Sequence, residues 1–345
     1  MKGLIVASLT CSAVLLAAEY PGAHWEKHSR AGWSEPLLQV VRSFSATKKT
    51  AAMMIVHNGR VVDQWGDVAQ KIEVRSIRKS FLSALYGIHV AEGHIDLGKT
   101  LEEIGIDDRP PVLTTAEKQA TILDLLRARS GVYHEAARET PAMRAARPTR
   151  GSQAPGAFYY YNNWDFNVLG AIFEKLTGQK IFAEFAQRIA APIRMEDYVA
   201  SDGRFAGAEG SNVGGDSLYL NYIFSMTARD MARFGYLYLR QGRWGDRQVV
   251  PARWVTRSVT SYSDLSVSAY NPAIGYGLLW QITDWGYMAM GNGGHVIAVA
   301  PSKDLVVVHR VQYAPPREDV VPYRDIDAMM RMIMAAAPAG GAAPK

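Results

Sequence analysis

Ser76 and Lys79 stand three residues apart at the head of "RSIRKSFLSALYGIHVAEG", residues 75–93. Residues three apart on a helix are surface neighbours, so the lysine amine can reach the serine hydroxyl. Phe81, Leu82, Leu85 and Ile88 follow at helical spacing, which puts the pair at the start of an apolar helix. A helix N-terminus and an apolar wall both disfavour an ammonium, so Lys79 in that setting would be a neutral base able to activate Ser76. The same residues also read as the polar start of a core helix with an exposed lysine. Spacing by itself leaves both readings open.

Other arrangements of reactive residues fare worse. Ser45 and Lys48 repeat the spacing in "SATK", but at a helix-to-strand junction with no sign of burial. Ser217 lies in "GGDSL", yet hydrolases named for that string carry it near the N-terminus with a later Asp-x-x-His, and no Asp-x-x-His occurs here. No Gly-x-Ser-x-Gly elbow is present either. His24, Glu26 and His28 in "HWEKH" lack the His-Glu-x-x-His spacing and read as loop residues, so no metal site is assigned.

The elements that must hold the Ser76 helix follow from patterning. Two β-rich runs flank Asn58-Gly59, the pair favoured in tight hairpins because both positions need positive φ. "YGLLWQI", "GYMAMG", "HVIAVAP" and "LVVVHRVQ" form a second β region near the C-terminus, with turns at "TDWG" and "PSKD". Helical periodicity marks "EPLLQVVRSFSA", "NNWDFNVLGAIFEKLTG" (stopping at Gly178), "SMTARDMARFGYLYLRQG" (stopping at Gly242) and "RDIDAMMRMIMAA". Early and late strands around a helical middle imply an α/β (α+β) fold. One antiparallel sheet is built from both chain ends and flanked by helices, and a mostly helical lobe is inserted between. A cleft between lobes is the natural ligand site.

Composition sets outer bounds. The chain has 345 residues, 48% hydrophobic and 21% charged, enough to bury a large core without disulfides or metals. A net charge of +5 is mildly basic, and the densest basic stretch, "RETPAMRAARPTR", reads as a solvated loop and not as a nucleic-acid-binding face. Residues 1–18 have one lysine, an apolar run and small residues before Glu19, the layout of a signal peptide, so the expectation is an exported, periplasmic or secreted protein. The single cysteine, Cys11, falls inside that segment, so the mature chain would have no disulfide and no thiolate chemistry. The expected layout is a signal peptide 1–18, one catalytic domain 19–335 and a disordered tail 336–345.

With Ser76-Ile77-Arg78-Lys79 in place, two later stretches complete a wider pattern. "PGAFYYYNNWDFNVLG" resembles the second motif, Tyr-x-Asn, of the serine β-lactamase and penicillin-binding superfamily, with Tyr161, Asn162 and Asn163 at the matching positions. "MGNGGHVIAVAPSKDLVVV" resembles its third motif, and "SMTARDMARFGYLYL" and "LLRARSGVYHEA" are similar to further segments. The likeness is strongest to class C β-lactamases and the related esterases, D-amino-acid peptidases and 6-aminohexanoate-dimer hydrolases. The resemblance implies a β-lactamase/transpeptidase-like fold and an acyl-enzyme on Ser76, with Lys79 and Tyr161 managing the proton. It leaves open which of the two is the base. It also implies an oxyanion site made by backbone N–H groups of Ser76 and His295, and no cofactor or metal. Asn163 would contact the Lys79 side, while Asn292, Gly293 and Gly294 would border the cleft. Tyr133 and His134 would lie where family members line it.

The third motif departs from Lys-Thr-Gly. It reads Asn292-Gly293-Gly294, which removes a cation suited to the carboxylate of a β-lactam or a D-Ala-D-Ala peptide. The reading is therefore a hydrolase of a carboxylic ester or small amide whose only partner is that small substrate, with no nucleic acid and no membrane span after processing. A D-Ala carboxypeptidase or weak β-lactamase is the alternative, and a non-catalytic scaffold of the same fold is a second.

Overall fold

The computed structural model describes residues 19–207, 217–266, 271–314 and 317–339. The expected signal peptide lies outside the described residues, as does the end of the expected tail. The hairpin at Asn58-Gly59 joins strands Thr50–His57 and Arg60–Gly66, with φ of 46° and 73° at the two turn residues. A Cβ on Gly59 would lie 2.2 Å from the Glu19 carbonyl oxygen, so the position requires glycine on steric grounds too.

That hairpin pairs with the far end of the chain. Strand Leu305–Val311 lies between Thr50–His57 and His295–Ala300, with Ile55 opposite Val307 and Ile297 opposite Val308. The eight-stranded antiparallel sheet then continues through Gly286–Gly291, Gln281–Thr283 and Gly275–Tyr276 to Ser263–Asp264. Alternate residues face opposite sides of a strand, and both sides here are apolar. Met53 and Ile55 join Leu38 and Val41 of helix Glu35–Ala46 and Met329 and Ile333 of helix Tyr323–Ala336. Met54 and Val56 join Phe81, Leu82 and Phe234 beneath helices Arg78–Ala91 and Ala228–Leu239.

The sequence run "YGLLWQI" is interrupted in the fold. Strands Gly275–Tyr276 and Gln281–Thr283 are separated by a kink in which Leu279 has φ 66°. Two serines of the Ser76 helix stabilise the kink: Ser83 Oγ donates to the Leu278 carbonyl and Ser80 Oγ to the Leu279 carbonyl, each at 2.8 Å. Trp280 beside them is fully buried, with its ring 4.4 Å from that of Tyr238. A strand pattern cannot signal this kink, because side chains from another element satisfy its carbonyls.

A three-stranded sheet, ordered Ile72–Glu73, Asn221–Met226, Gly203–Ala206, leads into the Ser76 turn. Arg310 joins it to the large sheet. This buried guanidinium donates to the carbonyls of Met226 at 2.6 Å and Ile72 at 2.7 Å and to His295 Nδ1 at 3.1 Å. The helical lobe includes Ile122–Leu126, Pro141–Ala146 and Asn163–Thr177. "RETPAMRAARPTR", read as a solvated loop, contains the helix Pro141–Ala146 and contributes Arg138, Thr140 and Met143 to the cavity wall.

Candidate active site

Ser76 sits in a single 3₁₀ turn, Arg75–Ile77, that runs directly into helix Arg78–Ala91. The residue before it, Arg75, adopts φ 56°, a left-handed conformation that a non-glycine residue holds only where the surroundings enforce it. Three contacts do so. The Val74 N–H donates to the Phe224 carbonyl at 2.9 Å, Arg75 Nη1 donates to Glu73 Oε1 at 3.3 Å, and the Arg75 guanidinium lies 3.2 Å from the Tyr313 ring centre. The third-motif strand presses on the same turn, since a Cβ on Gly291 would come within 2.5 Å of the Val74 carbonyl oxygen.

Lys79 is the centre of the site. Its side chain is 2% exposed, and Nζ lies 2.9 Å from Ser76 Oγ, 2.5 Å from Tyr161 OH and 3.2 Å from Asn163 Oδ1. Burial, reinforced by the neighbouring Arg78 charge, holds the amine well below the ordinary lysine range. Burial also raises the Tyr161 phenol above its ordinary value, against smaller lowering effects of the Ser76 hydrogen bond and Arg78. Both shifts run towards the neutral forms, an amine and a phenol.

The tyrosine run separates by role. Tyr159 lines the cavity, Tyr160 OH donates to the Met143 carbonyl at 2.7 Å, and Tyr161 alone of the three meets Lys79. The cap of helix Asn163–Thr177 is Asn162, whose Oδ1 accepts from the Trp164 N–H at 3.2 Å. Asn163 is thereby free to face the lysine, and its Nδ2 donates to the Arg138 carbonyl at 3.0 Å, which aims its Oδ1 at Nζ.

Asn292-Gly293-Gly294 forms the turn between strands Gly286–Gly291 and His295–Ala300. Asn292 faces the cavity. Gly293 and Gly294, with φ of 93° and 105°, pack away from it, and a Cβ on Gly294 would meet the Val321 carbonyl oxygen at 2.5 Å. The His309 ring donates from Nδ1 to the Gly294 carbonyl at 2.7 Å and accepts from Thr50 Oγ1 at 2.9 Å through Nε2. Burial lowers His309 to about 4, so this neutral tautomer persists at working pH. His295 is fully buried and held well below its ordinary value by burial and then by Arg310. Its side chain is not part of the cavity wall.

Two expected cleft residues are displaced. Tyr133 is buried against Tyr160, with ring centres 5.7 Å apart, and His134 contacts the carbonyls of Arg109 and Glu135 at 3.0 Å each. Neither lines the cavity. Both were placed by resemblance of "GVYHEA" alone, and their rings turn inward to pack beneath the wall. Ser217, the other serine weighed, donates to Asp108 at 2.6 Å and is buried with it, and it does not line the cavity in front of Ser76. His24 pairs with Glu196 at 2.8 Å while His28 faces His57 at 3.3 Å, so "HWEKH" does not converge on one point.

The cavity in front of Ser76 has a volume of about 530 Å³. Its wall holds residues that sequence reasoning did not single out. Glu73 is bound by Arg75, Arg138 and Arg204 at 3.3, 3.0 and 3.3 Å, and Tyr323 OH donates to the Gly291 carbonyl at 2.6 Å. Glu73 stands three residues before Ser76 in "KIEVRS", a position from which it could have been suspected. Tyr323 opens the last helix, and no local pattern ties it to the site.

The comparisons with known proteins agree with this architecture. The beta-lactamase family model matches residues 38–328. Among solved structures, a candidate 6-aminohexanoate-dimer hydrolase of Bacillus anthracis superposes with TM-score 0.62 at 22% identity, over 85% of this chain and 80% of that one. An octameric penicillin-binding protein homologue of Pyrococcus abyssi gives TM-score 0.62 at 17% identity, over 87% and 76%. A beta-lactamase of Mycobacterium bovis gives 0.58 at 18% identity, over 87% and 97%. At these identities the structures speak to the fold, and the family match, spanning most of the sequence, makes the assignment. The chain belongs to the beta-lactamase family.

Proposed function

We propose that the chain is a serine hydrolase that cleaves a carboxylic ester or small amide through an acyl-enzyme on Ser76. One observation carries the reading: a buried Lys79 amine within hydrogen-bond reach of both the Ser76 hydroxyl and the Tyr161 phenol. The shifts described above favour Lys79 over a Tyr161 phenolate as the resting base. In this mechanism Ser76 Oγ attacks the substrate carbonyl as its proton passes to Nζ. The oxyanion is held by the backbone N–H of Ser76 together with that of Asn292, which borders the cavity where the fully buried His295, expected from the resemblance, does not. The proton then moves through Tyr161 OH to the leaving oxygen or nitrogen, and the carbonyl–leaving-group bond breaks. Water repeats the sequence against the ester of Ser76, losing its proton to the same pair, and releases the acid with Oγ reprotonated.

The test compares the purified protein with Ser76→Ala on p-nitrophenyl butyrate, following product release and intact mass together. Turnover by the wild type, with a transient acyl mass absent from the variant, is the expected result. Equal inertness of both folded proteins would remove the esterase reading. A stable penicilloyl mass on Ser76 after incubation with benzylpenicillin would favour a penicillin-recognising enzyme instead.

A further inference from the structure

A second group of chemically capable side chains lies at the opposite end of the Ser76 helix. His89 is in its last turn, Glu92 caps it, and Gly93, at φ 78°, turns the chain so that His94 folds back over His89. The two Nδ1 atoms face each other at 3.1 Å, and Glu92 Oε2 lies 3.5 Å from His94 Nδ1. All three atoms fall within 4.8 Å of one another. A tetrahedral zinc site with bonds of about 2.0–2.1 Å has ligand-to-ligand edges of about 3.3–3.4 Å, close to the two separations found here.

The surroundings fit a metal-binding imidazole. His89 Nε2 lies 2.9 Å from Glu184 Oε1. A carboxylate only accepts, so the proton sits on Nε2 and the Nδ1 lone pair points at the gap between the ligands. This carboxylate–histidine arrangement orients metal-bound imidazoles generally. The ring is further held edge-on against Phe173, at 5.0 Å between centres. Arg188 binds Glu184 at 3.3 Å and both oxygens of Glu92, with Nη1 3.3 Å from Oε2, so Oε2 would have to be shared between Arg188 and the ion. Two carboxylates against one guanidinium leave the group with a net charge suited to a dication, given neutral imidazoles. His94 and Glu92 are exposed, with side-chain accessibilities of 54% and 36%, so an ion can enter and keep water as its fourth ligand.

We propose that His89, Glu92 and His94 bind one divalent ion of the zinc class, with Glu184 positioning His89. The rise of an α-helix puts His89 roughly 15 Å along the axis from Lys79, so the ion would not touch the reaction. Its role is to fasten the end of the catalytic helix to the turn 92–94. The site is independent of the reading of Ser76.

The experiment uses the untagged full chain, stripped with chelator and dialysed against Zn²⁺ or Co²⁺, beside His94→Ala. One Zn²⁺ retained per chain, a tetrahedral Co²⁺ visible spectrum and a thermal midpoint raised by roughly 5 °C in excess metal are expected for the wild type. His94→Ala should lose all three while hydrolysing p-nitrophenyl butyrate as the wild type does. Failure of the wild type to retain stoichiometric metal would overturn the proposal, leaving a histidine pair joined only by a hydrogen bond. Equal retention by His94→Ala would overturn it as well.

Discussion

At the scale of single residues, the site is governed by desolvation. An ordinary lysine at pH 7 is an acid, whereas Lys79 is walled by Phe166 and Tyr161 and has only neutral acceptors around Nζ. In the proposed mechanism its neutral form is required for turnover, so kcat/KM should fall as pH drops through its lowered pKa. No base-requiring limb should lie near the free-lysine value of 10.5. A rate that keeps rising above pH 10 would instead point to Tyr161, whose phenol burial raises, as the base. Lys79→Ala should cost about 10²–10⁴ in kcat/KM. Lys79→Arg should be equally poor, since a guanidinium keeps its proton. Circular dichroism would confirm that both variants fold.

The tyrosine triplet offers a sharper residue-level test. Tyr161→Phe removes the hydroxyl that, in the proposed mechanism, links Lys79 to the leaving group, and should reduce kcat by about 10²-fold or more. Tyr160→Phe removes only a hydrogen bond to the Met143 carbonyl and should stay within a few-fold of wild type. Parallel steady-state kinetics on the two variants decide it, and a crippled Tyr160→Phe would overturn the assignment. The meeting of Ser76 and Lys79 was legible in the sequence because helix geometry limits the spacing, and Tyr161 was placed beside them by the resemblance of its motif. Tyr133 and His134 were misread because a motif fixes a position along the chain but not the direction of a side chain.

At the scale of elements, the third-motif hairpin and the Ser76 turn are held at a fixed separation by a missing side chain. Gly291→Ala would insert a methyl group where the Val74 carbonyl oxygen stands 2.5 Å away and Arg75 Cβ 3.1 Å away. Neither neighbour is the end of a flexible side chain, so the strand must retreat and the proposed oxyanion donors diverge. We expect kcat to fall by about 10-fold or more, as a misplacement of about 1 Å can cost more than that, with KM nearly unchanged. Wild-type kcat in a folded Gly291→Ala protein would show that the close approach is not needed. Element types were readable here from periodicity and turn pairs, as in Asn58-Gly59 and the stop at Gly178. The kink at Leu279 was not, because its carbonyls are satisfied by Ser80 and Ser83, some 200 residues earlier in the sequence.

At the scale of the whole molecule, the two chain ends close one sheet, so the fold depends on residues far from the cleft in sequence. The last helix, Tyr323–Ala336, buries Ile326, Met329, Met330 and Ile333 on the sheet face shared with Leu38 and Val41. Four such side chains at about 1.5–3 kcal/mol each amount to roughly 6–12 kcal/mol, comparable with the net stability of a typical protein, about 5–15 kcal/mol. Deleting residues 323–345 should therefore abolish the cooperative thermal transition and with it all turnover, while deleting 340–345 should leave both intact. Loss of Tyr323 also frees the Gly291 carbonyl beside the cleft, so any partly folded product should lack activity before it lacks helix content. A cooperative melt with wild-type turnover in the longer deletion would mean that the first helix and the sheet suffice to close that face. Far-ultraviolet melts and ester kinetics on the two truncations separate these outcomes, because one reports the packed sheet and the other the geometry at Ser76.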